Sequence, residues 1–155
     1  MRQKLAAILL TLALACLGAS AARAQSEGHV MLKPGDLKWT DVPALPGAKL
    51  AVMEGPLDQA APITFRIKFP ANYQIPAHSH PGIEHVTVIS GTLNLGTGDK
   101  LDRAKTKAMT AGSFGIMPAK MNHFAWTKNE TVVQIHGTGP WAINWVNPAD
   151  APKKK

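Results

Sequence analysis

Residues 76–91 read Pro-Ala-His-Ser-His-Pro-Gly-Ile-Glu-His-Val-Thr-Val-Ile-Ser-Gly, and this stretch decides the fold. The i, i+2 spacing of His78 and His80 sends both imidazoles to one face of an extended strand, where they can share an ion. Pro81-Gly82 permits a sharp bend, after which Glu84 is carried back toward the same point and a strand resumes over Glu84 to Ile89. In that strand Val86 and Val88 alternate with polar residues, the period of two that marks a half-buried strand. His123 offers a third imidazole from far along the chain. Three neutral imidazoles and one carboxylate suit a divalent first-row ion in a mixed nitrogen and oxygen site. The single cysteine, Cys16, builds neither a thiolate cluster nor a disulfide framework, so any metal is held by His and carboxylate.

The alternation continues on both sides of this stretch. Leu50 and Val52, Ile63, Phe65, Ile67 and Phe69, Leu93 and Leu95, and Val133 and Ile135 each mark a strand with one apolar face. Turn residues separate them, at Leu45-Pro46-Gly47, Ser90-Gly91, Gly96 to Asp99, Ala111-Gly112, Lys128 to Glu130 and Gly137 to Pro140. With 12 prolines, 13 glycines and only 17% charged residues, the chain reads as an all-β sandwich or barrel rather than a helix bundle. The charged segment Leu101 to Thr110 reads as a loop or a short helix. Arg66 and Lys68 read as solvated charges on a sheet edge, which leaves an apolar cavity facing Ile63, Phe65, Ile67 and Phe69.

The N-terminus reads as an export signal. Arg2 and Lys4 precede the apolar run Leu5 to Leu17, and Ala22-Arg23-Ala24 gives the small-x-small pattern of a cleavage site, with Gln25 as the new N-terminus. The run is shorter than the ~20 residues a spanning helix needs, so no stable membrane span is expected after cleavage. Lipidation at Cys16 is the less well matched alternative. The expected organisation is a signal peptide at 1–24, a mobile polar lead-in at 25–36, one barrel domain at 37–147 and a mobile Pro/Lys tail at 148–155, in a periplasmic or secreted protein. The formal charge of +7 comes largely from Arg2, Lys4, Arg23 and Lys153 to Lys155, which leaves a nearly neutral body and no basic stripe for nucleic acid.

The residues also resemble a known family, the cupin superfamily. Its first motif runs Gly, five residues, His-x-His, three or four residues, Glu, six residues, Gly. His78, His80, Glu84 and Gly91 fall at those intervals, with Asn72 in place of the opening glycine. The second motif runs Gly, five residues, Pro-x-Gly, two residues, His, three residues, Asn. Gly112, Pro118 and His123 are in register, with Lys120 replacing the inner glycine and Thr127 the final asparagine. The resemblance implies a small antiparallel jelly-roll β-barrel. It also implies that His78, His80, Glu84 and His123 ligate a divalent transition metal such as Fe, Mn, Ni or Zn, near one mouth of the barrel.

Around that centre, Glu84 and His136 are the candidate catalytic bases, His136 through the run Thr131 to His136. His85 points away from Glu84 by alternation and reads as a surface or interface residue, and His29 lies in the lead-in. Phe114, Met117, Met121, Phe124 and Trp126 read as core, some of them lining the cavity. The expected function is that of an exported, metal-dependent oxidoreductase of the dioxygenase-like kind acting on a small organic molecule. The alternatives are a metal-dependent isomerase, hydrolase or lyase, and a non-catalytic binding protein of the cell envelope. Four tryptophans, Trp39, Trp126, Trp141 and Trp145, are more than one small core readily hides, which points to a homodimer.

Overall fold

A computed structural model describes residues 29–152. The expected signal segment 1–24, Cys16 and Lys153 to Lys155 lie outside the described residues. Leu32–Lys155 is one compact unit, and of the unit Met1–Met31 only the last three residues are described, without regular structure.

Eleven strands are described: β1 (Thr40–Asp41), β2 (Lys49–Glu54), β3 (Pro62–Phe69), β4 (Gln74–Ser79), β5 (Glu84–Ser90), β6 (Thr92–Thr97), β7 (Lys107–Thr110), β8 (Phe114–Met117), β9 (His123–Thr127), β10 (Thr131–Thr138) and β11 (Asn144–Trp145). They form two antiparallel sheets, in the orders β1-β2-β3-β10-β5-β8 and β11-β4-β9-β6-β7. This is a single-domain jelly-roll barrel. The apolar alternation of the sequence becomes its core: Ile63, Phe65, Ile67, Phe69, Val86, Val88, Val133 and Ile135 face inward from the first sheet, opposite Ile75, Leu93 and Ala125 of the second.

One irregularity aims the candidate ligands. Between β4 and β9 the pairing Ile75↔Ala125 is followed by His78↔His123, so three steps along β4 match two along β9. The extra residue is a β-bulge, and it reverses the side-chain parity, which lets Ile75 and His78 face the same interior. Pro76 sits in this bulge, where a residue without an N–H is tolerated.

Several local expectations are revised. Leu101 to Thr110 divides into a 3-10 turn at Arg103–Lys105 and strand β7. Arg66 and Lys68 are not on an edge, because β3 lies between β2 and β10. They stand on the outer face, where Arg66 Nε donates to Gln134 Oε1 at 3.1 Å and Lys68 Nζ lies 4.7 Å from the centre of a Trp39 ring. The lead-in ends in a 3-10 turn at Pro34–Asp36, whose Asp36 carboxylate accepts from Lys33 N at 2.7 Å. The tail begins with another at Pro148–Asp150, capped by Asn147. Phe114 is 51% exposed and is no part of the core, whereas Phe124 is buried on the outer face of β9 beneath Gly96.

The two positions where the motif glycines are replaced keep the glycine backbone. Asn72 has φ 58° and Lys120 φ 63°, both left-handed. Thr127, in the asparagine position, is fully buried and clamps the turn between β3 and β4 by donating to Pro70 O at 2.9 Å and accepting from Tyr73 N at 3.3 Å. Lys120 carries the full left-handed penalty of a branched-free but Cβ-bearing residue, about 1–2 kcal/mol. Lys120→Gly is therefore expected to raise the stability by about 0.5–1 kcal/mol after the entropy of the unfolded glycine is counted. Gly91 and Gly112 have φ of +77° and +86°, but a Cβ at Gly91 would stand 2.5 Å from Glu130 O and one at Gly112 meets nothing within 4 Å. Gly91→Ala should cost about 3 kcal/mol and Gly112→Ala about 1 kcal/mol, as read from urea unfolding midpoints.

Candidate metal centre

His78, His80 and His123 meet inside the barrel, with one ring nitrogen of each lying within 4.8 Å of the others. β4 supplies His78, the residue after its end supplies His80, and β9 supplies His123. Glu84, the first residue of β5, comes in from the other sheet with Oε2 3.3 Å from His123 Nε2 and 3.6 Å from His80 Nε2. All four side chains are buried. The rest of the chamber, about 50 Å³, is apolar, with Ile75, Val86, Leu93, Val133 and Ile135 among its walls.

Backbone carbonyls fix the orientation of every ring. His78 Nδ1 donates to Pro76 O at 2.7 Å, His80 Nδ1 to Ala142 O at 2.7 Å and His123 Nδ1 to Met121 O at 3.0 Å. A carbonyl only accepts, so each Nδ1 carries the proton and each Nε2 is the atom left to face the chamber. This is the outer-shell arrangement that sets the tautomer of metal-binding histidines.

Burial dominates the electrostatics. Desolvation, with help from His123 and His80, lowers His78 to a pKa of about 3. Desolvation also lowers His80, against the opposing pull of Glu84. Both rings are thus neutral donors near pH 7. Burial is the largest single influence on the other two as well and works against charge on each, yet the hydrogen bond between them and the Coulombic attraction of the opposite charges together outweigh it, so that His123 is raised and Glu84 lowered. His123 and Glu84 form a buried ion pair whose proton stands where a cation would serve the same carboxylate. His80 Nε2 is buried with no hydrogen-bond partner. An unpartnered imidazole nitrogen, two neutral rings and a carboxylate held ionised fit a divalent ion.

The structure does not bring His136 to this centre. Ile135 occupies the inward position of β10, between Phe65 and Val86, so its neighbour His136 falls on the outer face and is exposed. There it stacks on its cross-strand partner His85, with ring centres 4.8 Å apart and planes within 9°. A base role for His136 in the chamber is thereby removed. The lowered pKa of Glu84 makes it a weak base and a good anionic ligand.

Two residues at the centre escaped the sequence reading. Trp141 stacks on His80 at 3.9 Å, and Trp145 lies 5.6 Å from His78. They belong to the segment after β10, whose docking is a tertiary fact with no local periodicity to announce it. Their placement also answers the tryptophan argument for a dimer: all four tryptophans are half-buried within the chain itself, Trp39 under Lys68 and Trp126 under Arg103.

Comparison with known proteins places this architecture. Among solved structures the chain is similar to the polyketide cyclase RemF from Streptomyces resistomycificus, with 15% identity, a TM-score of 0.66, and coverage of 81% of this chain and 90% of that one. It is similar to an acetylacetone dioxygenase from Acinetobacter johnsonii, with 13% identity, a TM-score of 0.61 and 83% of each chain covered. It is also similar to a chain in the complex of Rhodobacter sphaeroides SigE with the anti-sigma ChrR, with 17% identity, a TM-score of 0.51, and coverage of 67% of this chain and 50% of that one. At these identities the likeness is one of fold. No curated protein matches the chain. Residues 27–142 match the family described as the ChrR Cupin-like domain, Cupin_7, and with most of its length so matched the chain belongs to this family of cupins.

Proposed function

We propose that this protein is an exported, metal-dependent cupin oxidoreductase, dioxygenase-like in its chemistry, that acts on a small apolar molecule able to chelate the ion. The observation that carries the reading is the convergence of three Nε2 atoms and one ionised carboxylate in an otherwise apolar, buried chamber. His78, His80, His123 and Glu84 are the residues that would hold the ion. When bound, a divalent first-row metal supplies Lewis acidity and, if iron, one-electron chemistry toward an oxygen-bearing chelator. Glu84 would offset the charge of the ion, while the carbonyl tethers keep the rings in place and the apolar walls exclude bulk water. To ligate, His123 would have to give up the proton it shares with Glu84, because a ligating ring is neutral. The acetylacetone dioxygenase among the similar structures makes β-diketones the first compounds to test.

Metal content and oxygen uptake test this reading together. Protein reconstituted with iron(II) should bind one ion per chain and consume oxygen with some member of a panel of diketones, flavonols, phenols and thiols. His78→Ala or His123→Ala should weaken binding at least about 100-fold, while His85→Ala leaves it unchanged because that ring lies outside the barrel. Glu84→Gln keeps the shape and should retain part of the metal with loss of turnover. Binding that survives His78→Ala and His123→Ala would leave a barrel with no metal role.

The proposal of export rests on Arg2, Lys4, the run Leu5 to Leu17 and Ala22-Arg23-Ala24. Protein taken from the native cell envelope is expected to begin at Gln25 by intact mass, and a cytoplasmic product retaining Met1 refutes it.

A homodimer is supported by a different surface from the tryptophans. β8 is an edge strand, and on the outer face beside it Ile83, Phe114 and Ile116 are each about half exposed, next to the stacked pair His85 and His136. Light scattering at micromolar concentration should give a dimer mass, and Phe114→Asp with Ile116→Asp should give a monomer that still binds one metal ion per chain.

A further inference from the structure

The metal chamber shares a wall with a second cavity. That outer cavity, about 260 Å³, is roughly five times the volume of the chamber and apolar, and among the described residues its only ionisable lining residue is Asp58. Leu45, Ile67, Trp141 and Ile143 line both spaces. Two of these four are fixed by the barrel, since Ile67 belongs to the interior strand β3 and Leu45 is a buried core residue. The other two stand on the strap that joins β10 to β11, outside any strand.

The strap is pinned through its backbone. Gly139 N donates to Ala61 O at 2.9 Å and Trp141 N to Leu57 O at 2.7 Å, while Ala142 O accepts from His80 Nδ1 at 2.7 Å. The Trp141 side chain has no such anchor. It is half-buried, held by its stack on His80 at 3.9 Å and an edge contact with Phe65 at 5.1 Å. The Trp141 side chain thus stands between the two cavities while taking no part in the hydrogen bonds that pin the strap. The chamber alone has room for a few water molecules, well below the roughly 300–1,000 Å³ of an ordinary ligand pocket.

We propose that Trp141 is the specificity-determining residue of this centre: it divides the substrate site into a small chamber for a compact chelating head and an outer cavity for an apolar body. The ligand class is a neutral molecule with a hydrophobic body and a small oxygen-bearing head. A body carrying negative charge is disfavoured by Asp58 at the rim. The assignment rests on the metal reading given above and adds the shape and charge of the molecule to it.

Two hydroxamic acids with the same head and different bodies, acetohydroxamic and benzohydroxamic acid, test it on the cobalt(II)-loaded full chain, with the visible spectrum of cobalt reporting arrival of the head. Relative to their ratio on free cobalt(II), benzohydroxamic acid should bind at least tenfold tighter than acetohydroxamic acid. Leu57→Trp, which fills the outer cavity, should collapse that ratio. In stopped flow, Trp141→Ala should speed association of benzohydroxamic acid at least tenfold, with Trp141→Phe between it and the wild type. Equal affinities for the two compounds in the wild type, or an association rate indifferent to Trp141, overturns the proposal while leaving the metal centre intact. A wild-type chain that takes up no cobalt overturns the metal reading and this proposal with it.

Discussion

Three imidazoles and a carboxylate sit inside an apolar barrel, stripped of the water that would ordinarily solvate them, and the arrangement around them answers that loss. Desolvation alone would leave the rings free to take either tautomer and the carboxyl group protonated. The carbonyls of Pro76, Met121 and Ala142 settle the first question by accepting from each Nδ1. The His123 contact at 3.3 Å settles the second by holding Glu84 ionised. What remains are the Nε2 lone pairs of His78 and His80 facing the chamber, with His80 Nε2 buried and without a hydrogen-bond partner, beside the His123–Glu84 pair. The barrel supplies rigidity, because the ligands come from both sheets and neither sheet can shift without moving part of the set.

The strand faces were legible in the sequence because period-two alternation is a local property. Phe65, Ile67, Val86, Val88, Val133 and Ile135 all face inward as their spacing requires. The convergence of His78, His80, Glu84 and His123 was legible through two spaced motifs, whose ligand and turn positions the backbone honours even where Asn72 and Lys120 stand for glycine. His136 was legible too and was misjudged: once Ile135 is placed in the core, the next residue of the same strand must face out. The β4 bulge was not legible, since an inserted residue has no signature beyond Pro76. Nor was the docking of Trp141 and Trp145, which depends on contacts made far across the chain.

The outer surface of the larger sheet divides into two kinds of chemistry. On one side Arg66, Lys68 and Gln134 pair with one another or with Trp39, as solvated residues on a sheet face do. On the other, the stacked His85 and His136 run into Phe114 at the β8 edge. The smaller sheet covers its outer face with the chain's own residues, Phe124 under Gly96 and Trp126 between Arg103 and Thr106. The larger sheet is left with an exposed apolar patch at its β8 edge, formed by Ile83, Phe114 and Ile116.

The tether from His80 to Ala142 spans 62 residues of sequence. His80 emerges from the ribosome early, but its ring acquires a fixed tautomer only after the segment beyond β10 has been made and laid against the loop at Leu57 and Ala61. The centre is therefore incomplete until that late segment has been made and docked. Non-local closure of this sort is slow compared with hairpin formation. An ion that arrives before that segment docks meets a His80 ring without its tether, and one that reaches the finished barrel meets a donor already oriented.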